Sequence, residues 1–227
     1  MIGVFDSGAG GLTAIAEMRK INPTVDVCFF ADYANAPYGT KSDRDLIKFV
    51  KNDILALGSV GADRILMACC TASTVHGYLP ENVKSLALPI IEPAVKEAVR
   101  VTKIGRIGVI ATTATVRSKS FSKGLFCHDN VKEVTELATQ ELVSLVEGGA
   151  SDRHIREHDR SRLYSILKPL KKRGIDTLIL GCTHFSHLER EIGSYLCGVR
   201  VVNASREGAK EIMKDSRPYG KGKTIYL

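Results

Sequence analysis

The chain has 227 residues, of which 44% are hydrophobic and 25% charged, so its composition is that of a globular protein with a packed core. No apolar run approaches the length of a bilayer span, which excludes an integral membrane helix. The formal net charge of +7 is spread along the sequence, apart from "KPLKKR" (168–173) and a lysine-rich tail. No aromatic-interleaved basic motif accompanies it, so the charge reads as a solvated surface that also suits a small anionic metabolite, with no nucleic acid or membrane as partner.

The N-terminus "MIGVFDSG" lacks the basic and long apolar regions of an export signal and reads as a strand at once. The expected compartment is therefore the cytoplasm. Strands are expected at "IGVF" (2–5), "VCFFA" (27–31), "RILMA" (64–68), "PIIEP" (89–93), "IGVIA" (107–111), "VKEVTEL" (131–137), "TLILG" (177–181) and "VRVVN" (199–203). Between them, residues 11–20, 44–61, 94–103, 139–149, 161–174 and 188–196 carry apolar side chains at three- and four-residue spacing, the period of amphipathic helices. Near-continuous apolar strands alternating with helices imply a buried, mainly parallel sheet covered on both faces, with sites beyond the carboxyl ends of strands.

"GADRILMAC" (61–69) and "GIDTLILGC" (174–182) share a register, aligning Gly61 with Gly174, Asp63 with Asp176 and Cys69 with Cys182. In each, a helix ends near a glycine, a strand follows and a cysteine closes the strand. The expected organisation is two similar flavodoxin-like α/β halves, with both cysteines in one cleft. The chain would divide near "LPIIEP" (88–93): residues 1–92 plus 203–227 in one half, 93–202 in the other.

Six cysteines without an export signal do not suggest a disulfide framework. Cys28 and Cys197 sit in apolar contexts and read as buried filler, while Cys127 lies in polar "FCHDN". Cys69, Cys70 and Cys182 instead sit where apolar runs meet small polar residues. His184, two residues after Cys182, can lower a thiol pKa from about 8.5 or exchange a proton with it. Zinc is a poor match, because structural sites use ligand pairs two to four residues apart in knuckle turns rather than Cys-Cys and Cys-x-His at strand ends.

"FDSGAGG" (5–11) resembles a phosphate loop but matches neither the Rossmann nor the P-loop spacing. It remains a tight loop at a helix start, suited to an anion, and Asp6 is either a helix cap or a functional acid. "ANAPYGTKS" (34–42) reads by itself as a turn, and Thr112 and Thr115 in "TTATV" either bind a carboxylate or cap a helix.

Taken together, "GVFDSGAGGLT", "ADYANAPYGTKS", "ACCTAS", "IIEPAVKEA", "GVIATTATVRS", "LVEGG" and "LILGCTHF", in that order over residues 2–188, resemble the glutamate racemases of the aspartate/glutamate racemase superfamily. The resemblance implies cofactor-independent proton transfer at the α-carbon of glutamate, supplying D-glutamate for peptidoglycan. It implies Cys69 and Cys182 as the acid–base pair, Asp6 assisting the first, His184 the second, and Glu147 near the second side. It also implies substrate contacts from Asp6, Ser7, Tyr38, Gly39, Cys70, Thr71, Thr183 and His184, with Thr112 and Thr115 at the side-chain carboxylate. "GCTH" favours glutamate over aspartate. No cofactor or metal is expected, and homodimers are common in the family. Another racemase or decarboxylase of the superfamily, or a homologue that only binds an acidic metabolite, are the alternative readings. The chain departs from the family in having Cys70 where asparagine is usual and Asn203 where aspartate is common. A last strand is expected at "GKTIYL" without the helices that follow it in relatives.

Overall fold

The computed structural model describes residues 1–214 and 220–227, so part of the expected returning segment, 215–219, lies outside the described residues. In chain order the strands are β1 Ile2–Asp6, β2 Val27–Ala31, β3 Arg64–Met67, β4 Ala87–Pro89, β5 Arg106–Ala111, β6 Glu133–Ala138, β7 Thr177–Gly181, β8 Arg200–Asn203 and β9 Thr224–Tyr226. The helices are α1 Leu12–Ile21, α2 Asp43–Ser59, α3 Cys70–Ser73, α4 Glu81–Lys84, α5 Ile91–Val101, α6 Thr113–Ser118, α7 Ser120–Leu125, α8 Gln140–Glu147, α9 Glu157–Arg173, α10 Glu189–Tyr195 and α11 Ala204–Met213. Among the described residues, no helix is long and apolar enough to cross a membrane.

The strands form two parallel sheets, ordered β4-β3-β1-β2-β9 and β6-β5-β7-β8. Leaving β9 aside, each sheet places its strands second, first, third, fourth, which is the flavodoxin-like order. Every residue of β1 and of β7 is buried, as expected of strands covered on both faces. In this order the chain switches direction of growth between the first and third strands, so a crevice opens at the carboxyl ends of β1 and β3 in one sheet and of β5 and β7 in the other.

Local chemistry accounts for the helix limits. Ser42 caps α2 by accepting the Asp45 N–H, and Asp43 and Asp45 occupy its positive first turn. The helix then buries Leu46, Val50, Ile54 and Leu57 along one stripe. Lys171, Lys172 and Arg173 close α9 before Gly174, whose φ of 63° ends the helix in the left-handed region. Asn203 caps α11 through Oδ1, which accepts the N–H groups of Ser205 and Arg206; an asparagine serves there as well as an aspartate.

One expected strand differs. "PIIEP" is divided between the end of β4, at Pro89, and the start of α5, at Ile91. Pro93 falls in the first turn of α5, where its missing N–H has no intrahelical partner to lose. Cys197 is exposed rather than buried, because it lies in the turn between α10 and β8; Cys28 is buried. The C-terminal β9 is present and pairs with β2, with Cys28 opposite Ile225.

Candidate active site

The two crevices share one cavity of about 240 Å³, lined from the first sheet by the loops after β1 and β2 and the turn after β3, and from the second by the loops after β5 and β7 and by α8. Ser7, Tyr38, Gly39, Cys69, Cys70 and Thr71 line one side; Thr112, Glu147, Cys182, Thr183 and His184 line the other. Of the residues expected from sequence, only Asp6 and Thr115 stand behind the lining, and both reach it through hydrogen bonds.

Cys69 follows β3 and is the N-cap of α3. Its sulfur accepts the Ala72 N–H at 3.5 Å and lies 3.7 Å from Ser7 Oγ. Burial pushes this thiol up to about 12, and the neighbouring Asp6 charge adds to the rise. Cys182 follows β7 in extended backbone, with its sulfur 3.7 Å from His184 Nδ1. Burial raises its pKa as well, against a backbone hydrogen bond from His184, and the charge of Cys69 raises it further. His184 Nε2 in turn lies 3.5 Å from Glu147 Oε1, whose side chain is 64% exposed.

Asp6 ends β1 and is buried. Its Oδ1 accepts the Gly8 N–H at 3.0 Å, and its Oδ2 accepts the Thr183 hydroxyl of the opposite half at 3.1 Å. Burial raises its pKa most strongly, while the His184 charge and these hydrogen bonds pull it down. A second polar bridge joins the halves. The hydroxyls of Thr71, Thr112 and Thr115 lie 2.8–3.1 Å from one another, all three buried, leaving a compact set of donors beside the cavity. Cys70 is buried in the cavity wall; burial, then Cys182 and Cys69, raise its thiol well above the ordinary value.

Tyr38 differs from its sequence reading in one respect. Tyr38 lines the cavity, but its hydroxyl is engaged behind it, 2.6 Å from Asp32 Oδ2 and 2.7 Å from Asp53 Oδ2, neither of which lines the cavity. Gly39 is the point of close approach. A Cβ there would stand 2.6 Å from Gln140 Oε1 and 3.1 Å from Thr112 Cβ, so a side chain would displace groups of the opposite half. Sequence reasoning missed Gln140 and Val143 on α8, and Tyr33 and Pro37 in the turn. The turn residues belong to a motif already singled out, whereas nothing around Gln140 signals a cavity position.

Residues 12–212 match the Asp/Glu/Hydantoin racemase family. A glutamate racemase of Aquifex aeolicus is 39% identical over 224 residues, covering 97% of this chain and 85% of the relative. One from Desulforudis audaxviator is 40% identical over 202 residues, covering 88% and 72%. The crystal structure of glutamate racemase from Thermus thermophilus in complex with beta-chloro-D-alanine superposes with a TM-score of 0.82 at 29% identity, covering all of this chain and 86% of that one. These likenesses define the class of the protein, an isomerase that acts as an amino-acid racemase. The chain belongs to the Asp/Glu/hydantoin racemase family.

Proposed function

We propose that the chain interconverts L- and D-glutamate without a cofactor, Cys69 and Cys182 serving opposite faces of the α-carbon. The observation that carries this reading is the pair of thiols at the ends of β3 and β7, equivalent strands of two sheets that open on one cavity. A planar carbanionic intermediate must be approached from both sides, and two facing crevices supply one base to each.

The transfer balances without any other reactant. As a thiolate on one side takes the α-proton, an S–H bond forms, the Cα–H bond breaks and its electron pair stays with the substrate. The opposite thiol then gives its proton to the other face and becomes the thiolate that starts the reverse reaction. Burial makes both thiols weak acids, so ionisation needs a compensating positive charge. The substrate ammonium, held near Asp6, supplies one, and His184 is placed to exchange a proton with Cys182. The Thr71, Thr112 and Thr115 hydroxyls suit the side-chain carboxylate, and Ser7 suits the α-carboxylate. In this reading D-glutamate is supplied to peptidoglycan synthesis in the cytoplasm, by a protein that can act as a homodimer.

The test is incubation of the pure protein with L-glutamate in deuterated water, with aspartate as comparator. D-Glutamate carrying α-deuterium is expected, with no added pyridoxal phosphate and undiminished by a chelator. Turnover of aspartate but not glutamate, or restoration of a lost activity by pyridoxal phosphate or a metal, would overturn the proposal.

A further inference from the structure

Behind the cavity wall, the side chains of Asp32, Tyr38 and Asp53 are 4%, 1% and 3% exposed. The Tyr38 hydroxyl lies within hydrogen-bond distance of a carboxylate oxygen on each side, 2.6 Å from Asp32 and 2.7 Å from Asp53. A phenol has one proton to donate, and an ionised carboxylate has none. Two such contacts therefore require two protons, and one of them must sit on a carboxyl group. Asp32 is already an acceptor at both oxygens, from the Asn35 amide at 3.0 and 2.9 Å. The remaining proton thus falls to Asp53, which donates it to Tyr38 while Tyr38 donates to Asp32.

We propose that Asp53 carries a proton in the folded protein and is a positioning residue for the active site, holding Tyr38 and, through it, Gly39 against the opposite half. Its substrate effect rests on the glutamate reading above. Asp53 lies on α2, on the face that packs against the first sheet. The titratable groups that act on it are Tyr38 and Asp32, while Cys28 on β2 and Cys69 at the head of α3 belong to the buried cluster that α2 packs into. Glu81 and Lys84 of α4 pair with each other. Burial pushes the Asp53 carboxyl up to about 7 and the Asp32 charge adds to the rise, while a hydrogen bond donated by Tyr38 to an ionised Asp53 would work against it. Above that pH, three oxygens would share one proton and one contact would become repulsive. Gly39 approaches Thr112 and Gln140 of the opposite half, so a shift of Tyr38 would be felt at the cavity wall.

The decisive measurements need no substrate. The Asp53 carboxyl carbon resonance should titrate near pH 7 in the unmutated protein, and the Gly39 amide resonance should move with it. In Asp53→Asn, whose amide can donate to Tyr38 at every pH, the Gly39 resonance should stay fixed. The folded state keeps a proton that the unfolded carboxyl releases above its ordinary value, so this group's contribution to stability falls as pH rises from about 4 to about 7. Urea unfolding should show that slope in the difference between the unmutated protein and Asp53→Asn. With glutamate, KM should rise about fivefold between pH 6 and 8.5 in the unmutated protein but not in Asp53→Asn, with kcat alike in both. Asp53→Leu should raise KM at both pH values. An Asp53 carbon that titrates below pH 5, or a Gly39 resonance that shifts equally in Asp53→Asn, would overturn the proposal. A chain that does not racemise glutamate but shows both titrations would instead overturn the assignment of the substrate.

Discussion

Cys69 and Cys182 occupy equivalent places in two sheets of the same strand order, yet their neighbours differ in kind. Cys69 caps a helix, accepts a backbone N–H and sits near Ser7 and the buried carboxyl of Asp6. Cys182 has no such cap and faces an imidazole, which is backed by a largely exposed carboxylate. The repeated backbone thus places two thiols alike, while the loops after them give each different polar neighbours. Asp6 qualifies the division. It belongs to the first half by sequence but is hydrogen-bonded by Thr183 from the second, so the surroundings of the two thiols share a wall.

The sharpest way to break this pairing is to remove one thiol. Cys69→Ser and Cys182→Ser should each lower racemisation roughly 10³-fold or more, because a hydroxyl is too weak an acid to replace either thiol. Each variant should still eliminate HCl from one enantiomer of 3-chloroglutamate, the opposite one in the two cases, since elimination needs a single base. Racemisation at the original rate by either variant would refute the assignment.

A smaller effect separates the groups behind the thiols. His184→Asn should reduce kcat/KM about 10²- to 10⁴-fold. The equilibrium between enantiomers is unity, so that loss must be equal in both directions, and only kcat and KM taken separately can reveal which face was damaged. Glu147→Gln should cost only about twofold to fivefold and should matter less in high salt, because its partner contact is solvent-exposed. Progress curves from each enantiomer, at low and high salt, check both statements.

The smallest change expected is a gain. Cys70 is buried beside both thiols and offers only a weak donor where the resemblance leads one to expect an asparagine amide. Cys70→Asn should lower the KM for glutamate about two- to tenfold while leaving kcat unchanged or higher. If Cys70→Asn abolishes activity while Cys69→Ser retains it, the two cysteines have been assigned in the wrong order.

Much of this was legible in the sequence. Strand–helix alternation and the echo between residues 61–69 and 174–182 led to two sheets and to the thiols at their equivalent ends. What escaped was set by contacts across the fold. Gln140 opens α8 with no local signal, and its role as a wall follows only from the approach of Gly39. Asp53 could have been noticed, since it falls seven residues after Leu46 on the buried stripe of α2, where an acidic side chain is out of place. The Tyr38 hydroxyl could not, because its partners come from β2's end and from α2. The extent of β4 was misjudged for a simpler reason: an apolar run next to proline suits a strand end and a helix start equally.

The layer between the sheets has a bearing on how the protein comes apart. Ile2 and Val4 of β1, Met18 of α1, Ile91 and Ala98 of α5, Ile107 and Val109 of β5, and Ala209 and Ile212 of α11 belong to one continuous buried cluster. Gly208 of α11 lies so close to Ile90 that a Cβ there would stand 2.5 Å from its side chain. Neither half can melt alone without stripping apolar surface from the other, so unfolding is coupled across the whole molecule. Heat or denaturant that loosens the helices of this shared layer therefore disarms both thiols at once, however far the damage begins from the cavity.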